Sequence, residues 1–208
     1  MPVFPSLLES DRLLLRPYRS QDAVALYGAV LESRDEVRPW VLWTRNILSV
    51  EDAITYQRHT AVYFEAMESL TLGIFHKEEK RLLGGICFHL CEWEMAQFEM
   101  GFWIRTSETG QGYASEAARK LIRFAFEDLA ATRIEMWIEK DNRASRAVPE
   151  KIGFFLEGVM REKSFGGQLQ DFALYAMIRA DYEKEKEGII ENRRSRRGLY
   201  PAHPLERG

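Results

Sequence analysis

Two glycines flank a single glutamine in "TGQGYASEA", Thr109 to Ala117, and helix-forming residues follow at once. A turn of this kind at a helix start suits anion binding. The first helical N–H groups have no intrahelical partner, and the macrodipole places partial positive charge at that end. Glycine lets the backbone come close to a phosphate, because no β-carbon stands between amide and ligand. Several charge-assisted hydrogen bonds, each contributing roughly 1.5–3 kcal/mol, would hold a pyrophosphate without a lysine. Two familiar glycine motifs do not fit. A P-loop ends in Gly-Lys-Ser/Thr, whereas this stretch continues Tyr113-Ala114-Ser115. A dinucleotide fingerprint places a third glycine where Ser115 stands, and it belongs near the first strand of its domain. On spacing alone, a phosphate loop and a plain helix start are equally good readings.

The other reactive residue types narrow the field by what they lack. Cys87 and Cys91, at i and i+4 on a strand, would share a face yet lie too far apart along it to bridge. With only His89 between them they fall short of a zinc constellation, so no metal is expected, and two free thiols suit a reducing compartment. A net charge of −3 argues against DNA as the ligand. One basic cluster, Arg193, Arg194, Arg196 and Arg197, sits among Gly and Pro near the end of the chain. We expect residues 188–208 to be a solvated, flexible tail, with ribosome or RNA contact as the alternative. No apolar run approaches the roughly 20 residues of a membrane span, and the first residues do not read as a signal peptide. A cytoplasmic protein without a membrane partner is the expectation.

The elements that must position the glycine turn are legible from periodicity. "DRLLLRPY" reads as a first strand, and Ser20 as the cap of a helix through "SQDAVALYGAVLESRDEV". "RPWVLW" breaks that helix at Pro39 and offers Trp40 and Trp43, after which Ser49 restarts a helical pattern. A hairpin follows with Lys77 to Arg81 at its tip, then the strand "QFEMGFWIR". The helix after the glycine turn runs to about Leu129 with Ala114, Ala118, Leu121, Ile122 and Ala125 on one stripe. "RIEMWIE" is a strand, "NRASRAVPEKIGF" a short helix ended by Gly153, and a last hairpin turns at Gly166–Gly167. Residues 1–187 thus read as one α/β domain around a mixed sheet.

The strand "GFWIR" leading into "TSETGQGYASEA", with "DNRASRAVPEKIGF" one helix and one strand later, resembles the GNAT acyl-CoA N-acetyltransferases. With "DRLLLRPY" and "RPWVLW" added, the chain is similar to the RimJ/RimL branch over roughly Leu8 to Tyr182. The resemblance implies a mostly antiparallel mixed sheet with helices on both faces, and acetyl-CoA as acyl donor. It also implies a primary amine as acceptor, foremost the N-terminal α-amine of a protein such as a ribosomal protein. Members of this branch often dimerise. A small-molecule amine (polyamine, amino acid or antibiotic) is the alternative acceptor, and a non-catalytic coenzyme A sensor the alternative from another class.

Site residues follow from the same resemblance. The family's Arg/Gln-x-x-Gly-x-Gly/Ala motif falls on Thr109, Gly112 and Ala114, with Gly110, Gln111, Tyr113 and Ser115 completing the pyrophosphate loop. Thr109 departs from the motif, which asks for Arg or Gln there. Phe102, Trp103 and Ile104 match the strand that pairs with the pantetheine arm, and Asn142 a residue that hydrogen-bonds it. Acetyl transfer requires a neutral amine, a stabilised oxyanion and an acid for the leaving thiolate. An α-amine, with pKa about 7.7–8.0, needs only a modest base. Glu99 is the candidate base. Pro149 stands where many relatives carry an acidic tyrosine, and Ser145 matches the serine that takes that role in this branch. Pro149 has no N–H, so a distorted first turn with an open Ser145 carbonyl is expected in this helix. Trp40 and Trp43 are candidates to wall the acceptor site, and Asp171 and Tyr175 to border it.

Overall fold

The computed structural model describes residues 3–186. The expected basic tail lies outside them. Eight strands form a mixed sheet: β1 (Leu8–Glu9), β2 (Leu13–Arg16), β3 (Leu70–His76), β4 (Leu82–Glu92), β5 (Gln97–Ile104), β6 (Arg133–Glu139), β7 (Phe155–Phe165) and β8 (Gln168–Ile178). Their order is β1-β2-β3-β4-β5-β6-β8-β7, antiparallel throughout except for β5 beside β6. This is the mostly antiparallel sheet that the sequence resemblance implies.

Alternation along the strands sends each face to its own helices. Leu70, Leu72 and Ile74 of β3, with Phe98 and Ile134, meet α4 (Tyr113–Glu127), whose Ala117, Ala118, Leu121, Ile122 and Ala125 are fully or almost fully buried. Helix α5 (Arg143–Ile152) packs beside α4. On the other face, α1 (Ala23–Glu32) and α3 (Val50–Glu65) bury Leu26, Ala29 and Ala53 against Phe75, Leu82 and Trp103. Burial of each such Leu or Phe contributes roughly 1.5–3 kcal/mol.

Several local expectations are corrected. The first helix does not run on through Asp35, Glu36 and Val37. It stops at Ser33, whose buried hydroxyl accepts the Thr106 N–H (2.9 Å), and α2 (Arg34–Val37) follows separately. Ser20 caps nothing: the buried Asp22 takes the cap role by accepting the Arg19 N–H (2.7 Å) and pairing with Arg16 (2.6 Å). Ser49 does cap α3, accepting from the Asp52 N–H (3.1 Å). A short α6 (Arg179–Lys186) closes the described chain. Helix α5 opens with an intact first turn, Arg146 N–H to Asn142 O (3.0 Å), and continues through Pro149 without a break. The first turn is thus not distorted, although Pro149 still offers no N–H to the Ser145 carbonyl.

The feature that positions the site is where the sheet parts. β5 and β6 pair only at Gln97, Phe98 and Glu99, opposite Arg133, Ile134 and Glu135. Beyond Glu99, β5 keeps its partner in β4, and β6 its partner in β8, but the two no longer pair with each other. Helix α4 begins shortly after β5, and α5 shortly after β6.

Candidate active site

The glycine turn has the geometry that anion binding asks for. Gly110 (φ +75°) and Gly112 (φ +80°) both adopt the left-handed conformation, and Gly112 is the N-cap of α4. A β-carbon would meet nothing within 4 Å at Gly110, and only an Arg12 nitrogen at 3.8 Å at Gly112. Glycine is therefore required by backbone angle and by whatever approaches, not by packing. The Glu116 N–H bonds to Gly112 O (3.1 Å), so helix geometry leaves the amides of Tyr113, Ala114 and Ser115 without intrahelical acceptors. Thr109, the residue outside the motif, turns its hydroxyl to Thr106 O (2.9 Å).

Arg12 escaped the sequence reading. Its guanidinium donates to Gln111 O (3.2 Å), pairs with Glu116 (2.6 Å) and lies 4.6 Å over the Tyr113 ring. Ser10 also bonds Glu116 (2.8 Å), so β2 and its lead-in are tied to the turn. The cue was a charged residue opening an otherwise apolar strand. Gln111, Gly112 and Ser115 border a shallow cleft of mixed charge, with Arg12, Arg119, Lys120, Arg123 and Lys151 outnumbering Glu9, Asp11 and Glu116.

A separate cavity of about 590 Å³ opens on the α1/α3 face where β5 and β6 part. Phe102 and Trp103 line it from β5, Trp137 and Glu139 from β6, Asn142 and Ser145 from the start of α5. Asn142 Oδ1 accepts the Ser145 N–H (3.0 Å), which fixes both residues at the cavity edge. Trp40 and Trp43 also line it. Trp43 stacks on Tyr56 (ring centroids 4.1 Å apart) and meets Trp103 edge-on (5.8 Å). Gly85 makes room for this group, since a β-carbon there would lie 2.6 Å from the Trp103 indole nitrogen. At the roof, the Gly166 turn touches Leu42, so close that a β-carbon on Gly166 would stand 2.6 Å from Leu42 Cδ1.

Glu99 lies in this cavity at the last paired position before the strands part. Its Oε1 is 2.7 Å from His89 Nε2, and His89 Nδ1 is 3.5 Å from Cys87 Sγ. Partial desolvation in the cavity works against a charged His89, but the hydrogen bonds it donates to Cys87 and Glu99 outweigh this and push its pKa up to about 10. Periodicity does not signal this pair, because a bulge between Phe88 and Leu90 creates it. The same bulge corrects the expectation for the cysteines: Cys87 lines the cavity, whereas Cys91 packs into the core on the α4 face. Both are free thiols, and burial pushes Cys91 up to about 11.

Three further expected positions sit elsewhere. Tyr175 is buried on the α4/α5 face, where it receives a hydrogen bond from Arg146 (3.0 Å) and donates to Glu150 (2.7 Å). Asp171 pairs with Lys140 (3.0 Å) and accepts the Glu162 N–H (3.0 Å). Neither borders the cavity, because alternation along β8 turns Phe172 toward it instead. Ile104 pairs with Gly84 and is likewise outside the lining. Among the described residues no cluster of metal-ligating side chains is found, and no helix is long and apolar enough to cross a membrane.

A parted sheet with a glycine-capped helix at its open end and a carboxylate at its apex defines a site for an extended, phosphate-bearing cosubstrate. Comparison with known proteins gives the family. The model for the acetyltransferase (GNAT) domain matches residues 12–155, and the chain belongs to this family. It is 32% identical over 178 residues to an uncharacterized N-acetyltransferase, YoaA, of Bacillus subtilis, covering 85% of this chain and 98% of that one. It is 26% identical to the ribosomal-protein-serine acetyltransferase of Escherichia coli, covering 81% and 94% of the two chains. Among solved structures, RimJ of Mycobacterium smegmatis in complex with CoA-disulfide has a TM-score of 0.78 at 22% identity, covering 90% of this chain and 97% of that one. The protein is thus an acyl-CoA-dependent N-acetyltransferase with acetyl-CoA as cosubstrate. The glycine turn and the parted strands are the parts of this chain that could hold that molecule's pyrophosphate and extended arm.

Proposed function

We propose that this enzyme acetylates an N-terminal α-amine of a protein or peptide, such as a ribosomal protein. Acetyl-CoA supplies the acetyl group as a thioester. The amides of Tyr113, Ala114 and Ser115 would hold the pyrophosphate, and the open edge of β5 from Phe102 to Ile104 would offer backbone groups to the arm. Glu99 takes the proton that the amine loses, and Ser145 orients or protonates the departing thiolate at the start of α5.

One observation carries the choice of acceptor: the cavity is walled by aromatics and lacks a dense acidic lining. Its carboxylate at the apex, Glu99, is already paired with His89. Glu32 and Glu36, two carboxylates at and just beyond the end of α1, are engaged outside the cavity. Glu32 pairs with Arg105 and accepts the Ser107 N–H, and Glu36 accepts from the Thr106 hydroxyl. A site of this kind favours an amine that is readily neutral over a polycation. The Leu42–Gly166 contact across the roof favours, as a second reading, an acceptor as small as a single amino acid or antibiotic.

The test is thiol release from acetyl-CoA with N-terminal peptides, lysine peptides, polyamines and small amines, using wild type and Glu99→Gln. Peptide α-amines should be the best acceptors. E99Q should lower turnover by about 10²–10⁴-fold across the pH range. Preference for a lysine peptide or polyamine would refute the acceptor, and wild-type turnover in E99Q would remove Glu99 from the mechanism.

A further inference from the structure

Strand β4 holds one residue more than its partner. Phe88 faces Met100 and Leu90 faces Glu99, so His89 has no opposite number in the ladder. The extra residue re-aims a side chain, as bulges beside active sites do. It brings the imidazole to the cavity, with Nε2 at 2.7 Å from Glu99 Oε1 and Nδ1 at 3.5 Å from Cys87 Sγ. The neighbouring strand is shaped to receive the ring. A β-carbon on Gly101 would lie 3.1 Å from both Cε1 and Nδ1 of His89. Gly101 has no left-handed φ, so the ring's seat, not the backbone, calls for glycine there. Cys87 in turn bonds Gly101 O (3.6 Å), which closes the frame around the imidazole.

A strand glutamate has several rotatable bonds and samples many rotamers unless a partner holds it. Here the partner sits on a β-bulge of β4 held against β5, with its ring seated over Gly101. We propose that His89 is a positioning residue for acetyl transfer, its Nε2–H fixing the Glu99 carboxylate at the point where β5 and β6 part. Among the described residues Glu99 Oε2 makes no hydrogen bond, so one oxygen is held and the other faces the amine. In the proton step an N–H bond of the attacking amine breaks, its electron pair stays on nitrogen, and an O–H bond forms at Oε2. His89 neither gains nor loses a proton, and water later removes the proton from Glu99. This inference rests on the reading of Glu99 as proton acceptor.

The experiment compares steady-state kinetics of wild type, H89A, H89Q, G101A, E99Q and the H89A/E99Q pair, with acetyl-CoA and the best peptide acceptor. H89A should lower kcat about 10-fold or more and leave KM for acetyl-CoA within about twofold, because orientation at the reacting atoms is lost while the cosubstrate loop is untouched. H89Q should recover most of the rate, since its amide nitrogen reaches the place of Nε2. G101A, which keeps both side chains but crowds the ring, should lower kcat in the same sense. The double variant should be no slower than E99Q. Wild-type kcat in H89A or G101A beside an impaired E99Q overturns the inference alone, as does equal impairment of H89A and H89Q. An unimpaired E99Q overturns instead the role assigned to Glu99.

Discussion

Replacing Gly112 by alanine separates a binding loop from an ordinary turn. The position has φ +80°, where an L side chain costs about 1–2 kcal/mol. Packing adds little, since the nearest atom to the new methyl is an Arg12 nitrogen at 3.8 Å. For a chain of this size the loss should appear as a Tm lower by roughly 2–8 °C. Binding suffers separately. The methyl stands beside the free amides of the first turn, and losing one charge-assisted hydrogen bond there removes about 1.5–3 kcal/mol. That predicts a KM for acetyl-CoA raised roughly 10- to 150-fold, with kcat at saturation nearly unchanged. Thr109→Ala is the control. Its hydroxyl serves only the local turn, through Thr106 O at 2.9 Å, so KM should change less than about threefold. Thiol-release kinetics and thermal melts on both variants supply the numbers. A Gly112→Ala protein with lowered Tm but wild-type KM would falsify the assignment of this loop to the pyrophosphate.

Two other outcomes follow from the cavity chemistry. His89 is held at a pKa of about 10 against about 6.5 when unfolded, so its contribution to stability is complete below about pH 6.5 and is lost as pH rises through 10. Because 47% of the side chain is exposed, water screening limits this to about 1 kcal/mol. The Tm advantage of wild type over H89Q should therefore shrink by roughly 2–4 °C between pH 6.5 and 10, and a constant difference would refute the pairing. Iodoacetamide followed by peptide mapping should label Cys87 before Cys91, whose thiol burial pushes up to about 11, and acetyl-CoA should protect Cys87. Faster labelling of Cys91 would contradict the placement of the two thiols on opposite faces.

The parts of the molecule that were legible in the sequence are those set by local rules. Gly110 and Gly112 announced a turn at the start of α4, Ser49 the start of α3, and Gly166–Gly167 a hairpin turn. The amphipathic stripe of α4 followed from spacing, with only its last residues overestimated. What stayed hidden depends on pairing between distant strands. The His89–Glu99 contact requires a register shift that nothing in "GGICFHLCEW" signals, and that shift also undid the inference that Cys87 and Cys91 share a face. Arg12 could be read as a strand residue but not as a clasp on a turn about a hundred positions away. Tyr175 and Asp171 are legible as residues of the last strand, but strand alternation decides which residue of β8 faces the cavity. Ser33 ended a helix early because its hydroxyl serves Thr106, a tertiary demand that local propensity does not contain.

Unpaired strand edges are usually a hazard of the periphery, where they invite other chains to add on. This protein carries two of them inside its sheet, at Met100 to Ile104 and at Met136 to Glu139, facing each other where β5 and β6 part. A third strand of another protein cannot reach them from the side, because five strands stand to one flank and three to the other. Only a slender, flexible chain bearing its own amides can enter such a slot from its open end and satisfy those groups. The parting of the sheet thus acts as a filter on the shape of what binds, before any side chain has been consulted.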